Sequence, residues 1–332
     1  MLKVGLIGLG AMGRLHFDCW QKSAAGQLVA VSDRNPRMRS GDWGGQSFNL
    51  GEQKSQQVDM NAVATYDDAA DLIRDPNVQA VDICTSTPRH ADLAIGALLA
   101  GKHVFCEKPM ALTEEDCTKM IDAAKEANRQ LMIGHCLRYW PHYVKAKELI
   151  DGGAYGKVLH ARFERFSALP TWSSGGWLTQ ASESGGVIVD MHIHDVDVAR
   201  WWFGEPDQVR ASGAEHNGLP IMVDALWDYK NGPAVHLAGG WGLHGGEFRH
   251  AFAVTMEKAT LDYNLSVADG DLRMSEDGLL SSVEVGIPDA YRAELDDFAA
   301  CVSEGRPITR SVPEDSKAAV RLALEELRQV RS

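Results

Sequence analysis

Thirteen residues in the middle of the chain, GGVIVDMHIHDVD at 185–197, gather two histidines and three aspartates behind a pair of glycines. If the segment after Gly186 is helical, Asp190 and His194 are four apart and share a face, with Asp197 three further along the same stripe. His192 and Asp195 then point elsewhere. A carboxylate one turn from an imidazole holds the ring in one tautomer and raises its basicity, which a general base working near neutral pH needs. A solvated helix face carrying an ion pair has the same spelling, so the remaining residues have to separate the two readings.

A histidine base needs something to act with, and the N-terminus supplies a candidate. Residues 2–7, LKVGLI, read as a short apolar strand followed by GLGAMG and a helical pattern through RLHFDCWQK. Gly8, Gly10 and Gly13 therefore form a GxGxxG between a strand and a helix, the context in which that pattern becomes specific. The first glycine permits the tight turn, the second lets a pyrophosphate approach the backbone, and the third lets helix and strand pack closely. The turn Gly8, Gly10, Ala11, Met12 and Gly13 is thus expected to bind a dinucleotide. A second strand, QLVAVSD, ends in Asp33, twenty residues beyond Gly13, where an acidic group that bonds an adenosine ribose belongs. Arg34 follows it and could stack on adenine or hold a 2′-phosphate, whereas Asp33 repels that phosphate, so NAD is favoured over NADP. The polar connection of 35–60 either flanks the adenosine end or decorates the surface.

Strand and helix signals then alternate: NAVATY, DDAADLIRD, VQAVDIC, HADLAIGALLAG, KHVFCE, TEEDCTKMIDAAKEANR and LMIG. That interleaving implies parallel strands with right-handed crossovers, and ligands then bind beyond the carboxyl ends of the strands. Two such ends are TSTPRH, with Thr85, Ser86, Thr87, Pro88 and His90, and CEKP, with Glu107, Lys108 and Pro109. Their small polar groups and prolines suit turns along a nicotinamide ribose. Lys108 stands out chemically, because an ammonium there can hydrogen-bond a substrate hydroxyl and stabilise the alkoxide that forms from it.

The composition is that of a soluble globular protein, long enough at 332 residues for two domains. A net charge of −13 argues against nucleic acid or an anionic membrane as partner. Six scattered cysteines show no CxxC pair, as in a reduced cytoplasmic protein, and neither a signal peptide nor a long apolar run is evident. The HIHD cluster invites a zinc reading, but on a helix His192 and His194 diverge, so no metal is expected.

Downstream, YWPHYVKAKELIDGG reads as a helix closed by glycines and KVLHARFERF as a strand. The stretch 168–184 is too rich in glycine, serine and proline for a regular element. It brings Trp172 and Trp177 just ahead of the histidine motif, and an indole face can cover the C–H face of a sugar. Either tryptophan lines a pocket or packs under its own loop, whereas Trp201 and Trp202 are expected in the core. Residue 244 is a loop histidine between glycines, placed either to reach the site or simply to be solvated. From 208 to 285 short strands follow one another, separated by NG, GG or DG turns, which favours antiparallel pairing in one open sheet. Two amphipathic helices close the chain.

GLGAMG, CEKP, GHCLRYWP at 134–141 and the GG-x3-D-x3-H-x2-D pattern of 185–197 together resemble the glucose-fructose oxidoreductase and inositol dehydrogenase family, Gfo/Idh/MocA. The resemblance implies an α/β Rossmann domain, 1–135, and an α+β domain with an open, mainly antiparallel sheet, 136–332. It also implies pyridine-nucleotide-dependent hydride transfer to or from a secondary alcohol of a sugar, cyclitol or related polyol. Lys108, Asp190 and His194 would surround the reacting carbon, with His194 as general acid/base, and GHCLRYWP would add His135 and Arg138 on the substrate side. The family's sheet commonly serves association, so a homo-oligomer is expected. Two rivals stand beside this reading: an NAD-dependent glycosidase using transient oxidation, and a non-catalytic nucleotide-binding sensor.

Overall fold

The computed structural model describes residues 1–48, 51–266, 270–286 and 289–331, which form two compact units. The first comprises residues 1–136 and 289–317, and the second 137–288 and 318–332. Residues 49 and 50 of the polar connection, and Asp269 of the DG turn, lie outside the described residues.

Six parallel strands make the sheet of the first unit, in the order Leu131–Gly134, His103–Glu107, Ala80–Ile83, Leu2–Ile7, Gly26–Ser32 and Ala64–Tyr66. The first strand in the chain lies inside, between the second and the fourth, so the sheet runs outward in both directions from one seam. AVDI and LMIG are buried at every residue, as strands covered on both faces must be, and apart from Asp82 they read as apolar runs. Of NAVATY only Ala64–Tyr66 is strand. The helices fall where periodicity put them: Ala11–Lys22, Ala69–Arg74, His90–Leu99 and Glu114–Glu126. Thr113 caps the last of these, its hydroxyl accepting from Asp116 N at 3.1 Å.

The expected division at 135/136 needs one correction. Residues 289–317 pack with the first unit, although they follow the second sheet in sequence. Helix Ala290–Glu304 buries Glu294, Leu295 and Phe298, and Phe298 meets Phe105 edge-on at 5.7 Å. Its apolar stripe states that it must be covered, not by which sheet.

The polar connection of 35–60 is tied back to the glycine-rich helix. Trp43 is buried edge-on against Phe17 at 5.0 Å, and Arg14 donates to Gly44 O at 2.6 Å. Arg39 donates to the carbonyl of Asp33 at 2.6 Å. The segment therefore braces the end of the second strand and the start of the first helix.

In the second unit eight strands form one sheet, ordered Gln208–His216, Leu219–Asp228, Ala234–Gly242, Val158–Ala168, Arg249–Met256, Ala259–Asn264, Leu272–Glu276 and Leu279–Ser282. Every pairing is antiparallel except that of Val158–Ala168 with Ala234–Gly242. Leu279–Ser282 was not legible as a strand: it is exposed throughout, so it lacks the buried-exposed alternation that marks the others. The core is aromatic, with Tyr143, Phe252 and Trp202 in contact at 4.8 to 5.9 Å. Trp202 is buried as expected, but Trp201 is half-buried, with the cations of Arg138 and Lys147 over its ring at 5.8 and 5.6 Å.

Candidate active site

In the first unit the strand order sets the candidate residues in a row. Gly8, Asp33, Thr85, Lys108 and His135 each follow the carboxyl end of one of five adjacent parallel strands. This edge, at the seam where the connections reverse direction, is where open α/β sheets bind ligands.

The glycine turn fits a dinucleotide pyrophosphate. Gly8 has φ +94° and a Cβ there would lie 2.5 Å from the Cys84 carbonyl oxygen, while a Cβ at Gly13 would collide with the carbonyl of Gly8. Those two glycines are required by the protein's own packing. A Cβ at Gly10 would meet nothing within 4 Å, so its bareness leaves open space at the helix start. Gly10 is also the N-cap of Ala11–Lys22 and has no side chain to cap it, so an anion at the turn would meet the positive end of that helix. Asp33 accepts from the backbone N–H groups of Leu9 and Asn35, both at 2.8 Å, which locks the second strand end to the glycine turn. Arg34 is exposed beside it.

The two other strand ends are stitched together by His90. Its Nδ1 faces the Pro109 carbonyl at 2.9 Å and its Nε2 the Thr85 carbonyl at 3.1 Å, so the neutral ring donates to one of them. Burial holds His90 below its ordinary pKa, although both carbonyls favour the proton. Thr87 is buried, Thr85 and Ser86 are half-buried and Pro88 is exposed. Lys108 is half-buried ahead of a cis peptide bond to Pro109. Glu107, expected near the cofactor, turns its carboxylate inward: Oε2 accepts from Lys108 N at 3.0 Å and Oε1 lies 3.1 Å from His16 Nε2. His135 is buried, with Nε2 2.9 Å from Ser316 Oγ.

In the second unit the GGVIVDMHIHDVD segment is helical but opens on a wide turn. Gly185 and Gly186 have φ of +71° and +69°. A Cβ on the first would lie 2.5 Å from Val189, and one on the second 2.6 Å from the Pro220 carbonyl, so the glycine pair is demanded by the turn itself. Ile188–His192 is a π-turn, a form frequent at functional sites, and the α-helix Ile193–Phe203 continues from it.

Burial then sorts the five polar residues. From 184 to 199 only Asp190 and His194 keep partial exposure. Asp195 is buried in a two-point pair with Arg165, at 2.8 and 2.9 Å. Asp197 is buried in another with Arg138, at 2.9 and 2.8 Å. His192 is buried with Nε2 3.0 Å from Glu326 Oε2, and Trp227 donates to the other oxygen of that carboxylate at 2.7 Å. A Cβ on Gly239 would come within 3.0 Å of His192 Nδ1, so a glycine makes room for that ring. Arg138, expected to meet substrate, is thus 1% exposed and committed to Asp197. Trp172 and Trp177 are half-buried on their loop, and His244 is exposed.

Sequence reasoning missed the partners Arg165, Glu326 and Trp227, each far away in the chain. It also missed two buried groupings whose ligand atoms lie within 4.8 Å of one another: His16, Asp82 and Cys84, and His16, Glu107 and Glu294.

The comparisons with known proteins agree with this architecture. The sequence model for the Gfo/Idh/MocA oxidoreductase family, NAD-binding Rossmann fold, matches residues 2–135, and that for the Gfo/Idh/MocA C-terminal domain matches 143–262. The chain belongs to this family and carries its NAD-binding Rossmann fold. It is 35% identical over 225 residues to myo-inositol 2-dehydrogenase of Thermotoga maritima, a match spanning 67% of this chain and 60% of that protein. It is 27% identical to inositol 2-dehydrogenase of Rhizobium meliloti over 99% of this chain and 97% of that one. Among solved structures, levoglucosan dehydrogenase in complex with NADH and levoglucosan superposes with a TM-score of 0.84 at 23% identity, over 99% and 97% of the two chains, a likeness of fold. Among the described residues no helix is long and apolar enough to cross a membrane.

Proposed function

We propose that the protein is an NAD-dependent dehydrogenase that oxidises a secondary alcohol of a cyclitol, sugar or related polyol to the ketone, reversibly. The observation that carries this reading is the sorting within the histidine motif. Every other polar side chain of 184–199 is buried, and Asp190 and His194 alone remain accessible to a small molecule. His194 takes the hydroxyl proton, and Asp190 orients the imidazole or passes the proton on. Lys108 donates a hydrogen bond to the same oxygen and favours the developing alkoxide. Bound NAD supplies the hydride acceptor. Gly8, Gly10, Ala11, Met12 and Gly13 hold its phosphates, and Asp33 its adenosine ribose. Trp172 and Trp177 shield the apolar face of the substrate. Relatives named for inositol and levoglucosan support a polyhydroxylated ring as substrate class. We further assign self-association to the second sheet, whose strands carry exposed Leu159, Leu226, Leu279 and Leu280.

A panel of inositols, aldoses, anhydrosugars and glycosides, offered with NAD and separately with NADP while nicotinamide absorbance is followed, tests the reading. NADH formation with a cyclitol or anhydrosugar supports it. Cleavage of a chromogenic glycoside with no accumulation of NADH replaces it with glycosidase chemistry, and binding of NADH without turnover of any member replaces it with a sensor.

A further inference from the structure

Beneath the carboxyl edge of the first sheet lies a buried polar cluster that the proposed chemistry does not use. His16, on the helix that begins at the glycine turn, is wholly buried. Its Nδ1 is 3.0 Å from Asp82 Oδ2 and its Nε2 is 3.1 Å from Glu107 Oε1, so carboxylates flank the ring on both sides. Trp20 donates to Asp82 at 2.8 Å, and the Cys84 sulfur lies 3.2 Å from His16 Nδ1. The far oxygen of Glu107 accepts the backbone N–H of Lys108. Glu294, from helix Ala290–Glu304, brings a second carboxyl beside that of Glu107, with neither of its buried oxygens hydrogen-bonded.

We propose that His16 and Glu107 are positioning residues: a buried imidazolium grips the Glu107 carboxylate, whose other oxygen fixes the backbone at Lys108 and couples that residue to the cofactor-binding helix. This rests on the reading of Lys108 given above. An imidazolium here has Nδ1 hydrogen-bonded to Asp82 at 3.0 Å and Nε2 in ionic contact with Glu107 at 3.1 Å, so its charge serves both carboxylates, which a neutral ring cannot do. Burial opposes the proton on His16, but the Asp82 carboxylate against it carries its pKa well above 6.5. Burial likewise opposes ionisation of Glu107, and His16 and Lys108 outweigh it, so Glu107 stays below the ordinary carboxyl range.

Two adjacent buried carboxyls cannot both ionise cheaply, and Glu294 is the one that keeps its proton. Burial first, then the charge of Glu107, raises it well above 4.5, with Asp82 and Asp289 adding and His16 opposing. The other titratable neighbours are neutral: burial pushes Cys84, Cys106 and Tyr291 well up and Cys19 to about 12. The unfolded chain loses the Glu294 proton near 4.5 while the fold retains it, so this group removes stability as pH rises above that value.

Four single variants, one double variant and one metal analysis decide the matter. Lys108→Met must slow turnover, or the reading of Lys108 fails whatever the network does. Given that, His16→Gln and Glu107→Gln should each lower kcat about tenfold, with KM for NAD and for the alcohol within about twofold, as misplacement of a catalytic group does. The double variant should be no slower than either single one, because both changes break one contact. Parental kcat in all three, or strictly multiplicative losses, overturns the proposal while leaving Lys108 in place. Glu294→Gln reads the proton: its thermal midpoint relative to the parent should rise between pH 5 and pH 8. A difference that stays flat over that range shows an ionised Glu294 and overturns the assignment. One equivalent of divalent metal per chain, lost in His16→Gln, overturns it in favour of a metal centre.

Discussion

Replacing Asp197 by Asn tests whether Arg138 serves the fold or the substrate. Both side chains are 1% exposed and meet through two hydrogen bonds of 2.8 and 2.9 Å. The Asn side chain keeps the shape and one acceptor but removes the charge, leaving a buried guanidinium without its matching carboxylate. Removing one partner of a buried pair costs about 3 to 5 kcal/mol, because the remaining charge stays desolvated. For a unit of this size that is a fall in thermal midpoint of roughly 6 to 20 °C. Differential scanning fluorimetry measures it directly. The double variant Arg138→Met/Asp197→Leu should recover most of the loss, since two apolar groups need no partner. A midpoint for Asp197→Asn within about 1 °C of the parent, or a double variant whose losses simply add, refutes the pair as a structural contact. A raised KM for the alcohol with an unchanged midpoint would instead assign Arg138 to substrate.

Two further outcomes follow from the site geometry. Gly10→Ala should fold with parental stability, because its Cβ enters open space, yet bind NADH on the order of tenfold more weakly; Gly8→Ala should lose stability instead, its Cβ meeting the Cys84 carbonyl. Thermal midpoints and fluorescence titration of NADH separate the two, and equal NADH affinity for Gly10→Ala and the parent removes the turn from the cofactor site. His250 gives a pH signature. Burial first, then Arg165 and His142, holds it well below 6.5, and Tyr143, Trp140, Phe248 and Tyr263 are its remaining ring neighbours. The unfolded chain gains this proton as pH drops through 6.5 and the fold does not, so stability falls with acidity. The midpoint of His250→Gln should accordingly fall less between pH 7.5 and pH 5 than the parent's, and parallel curves would show that His250 titrates normally.

Much of this architecture is written locally in the chain. GLGAMG between an apolar run and a helical pattern, with Asp33 twenty residues beyond Gly13, needs only short-range chemistry to be read. The same holds for the strands whose burial alternates, such as Leu219–Asp228, and for the N-cap at Thr113. What escaped depends on partners distant in sequence. Helical periodicity put Asp197 on the stripe of Asp190 and His194, yet Arg138 draws it into the interior. The ring of His192 is buried against Glu326 of the C-terminal helix, and no spacing rule connects those positions. The return of 289–317 to the first unit was hidden for a similar reason, because an amphipathic stripe specifies burial without naming the surface that provides it. His16 looked like an ordinary helix residue until Asp82, Glu107 and Glu294 were seen around it.

The central claim is that His194 moves the substrate proton, and turnover of His194→Ala on an accepted polyol, measured beside NADH binding by the same preparation, tests it most directly. Loss of a general base predicts a kcat lower by ~10² to 10⁴ with NADH affinity nearly unchanged. Turnover at the parental rate would contradict the assignment and return the histidine of GGVIVDMHIHDVD to the surface of its helix.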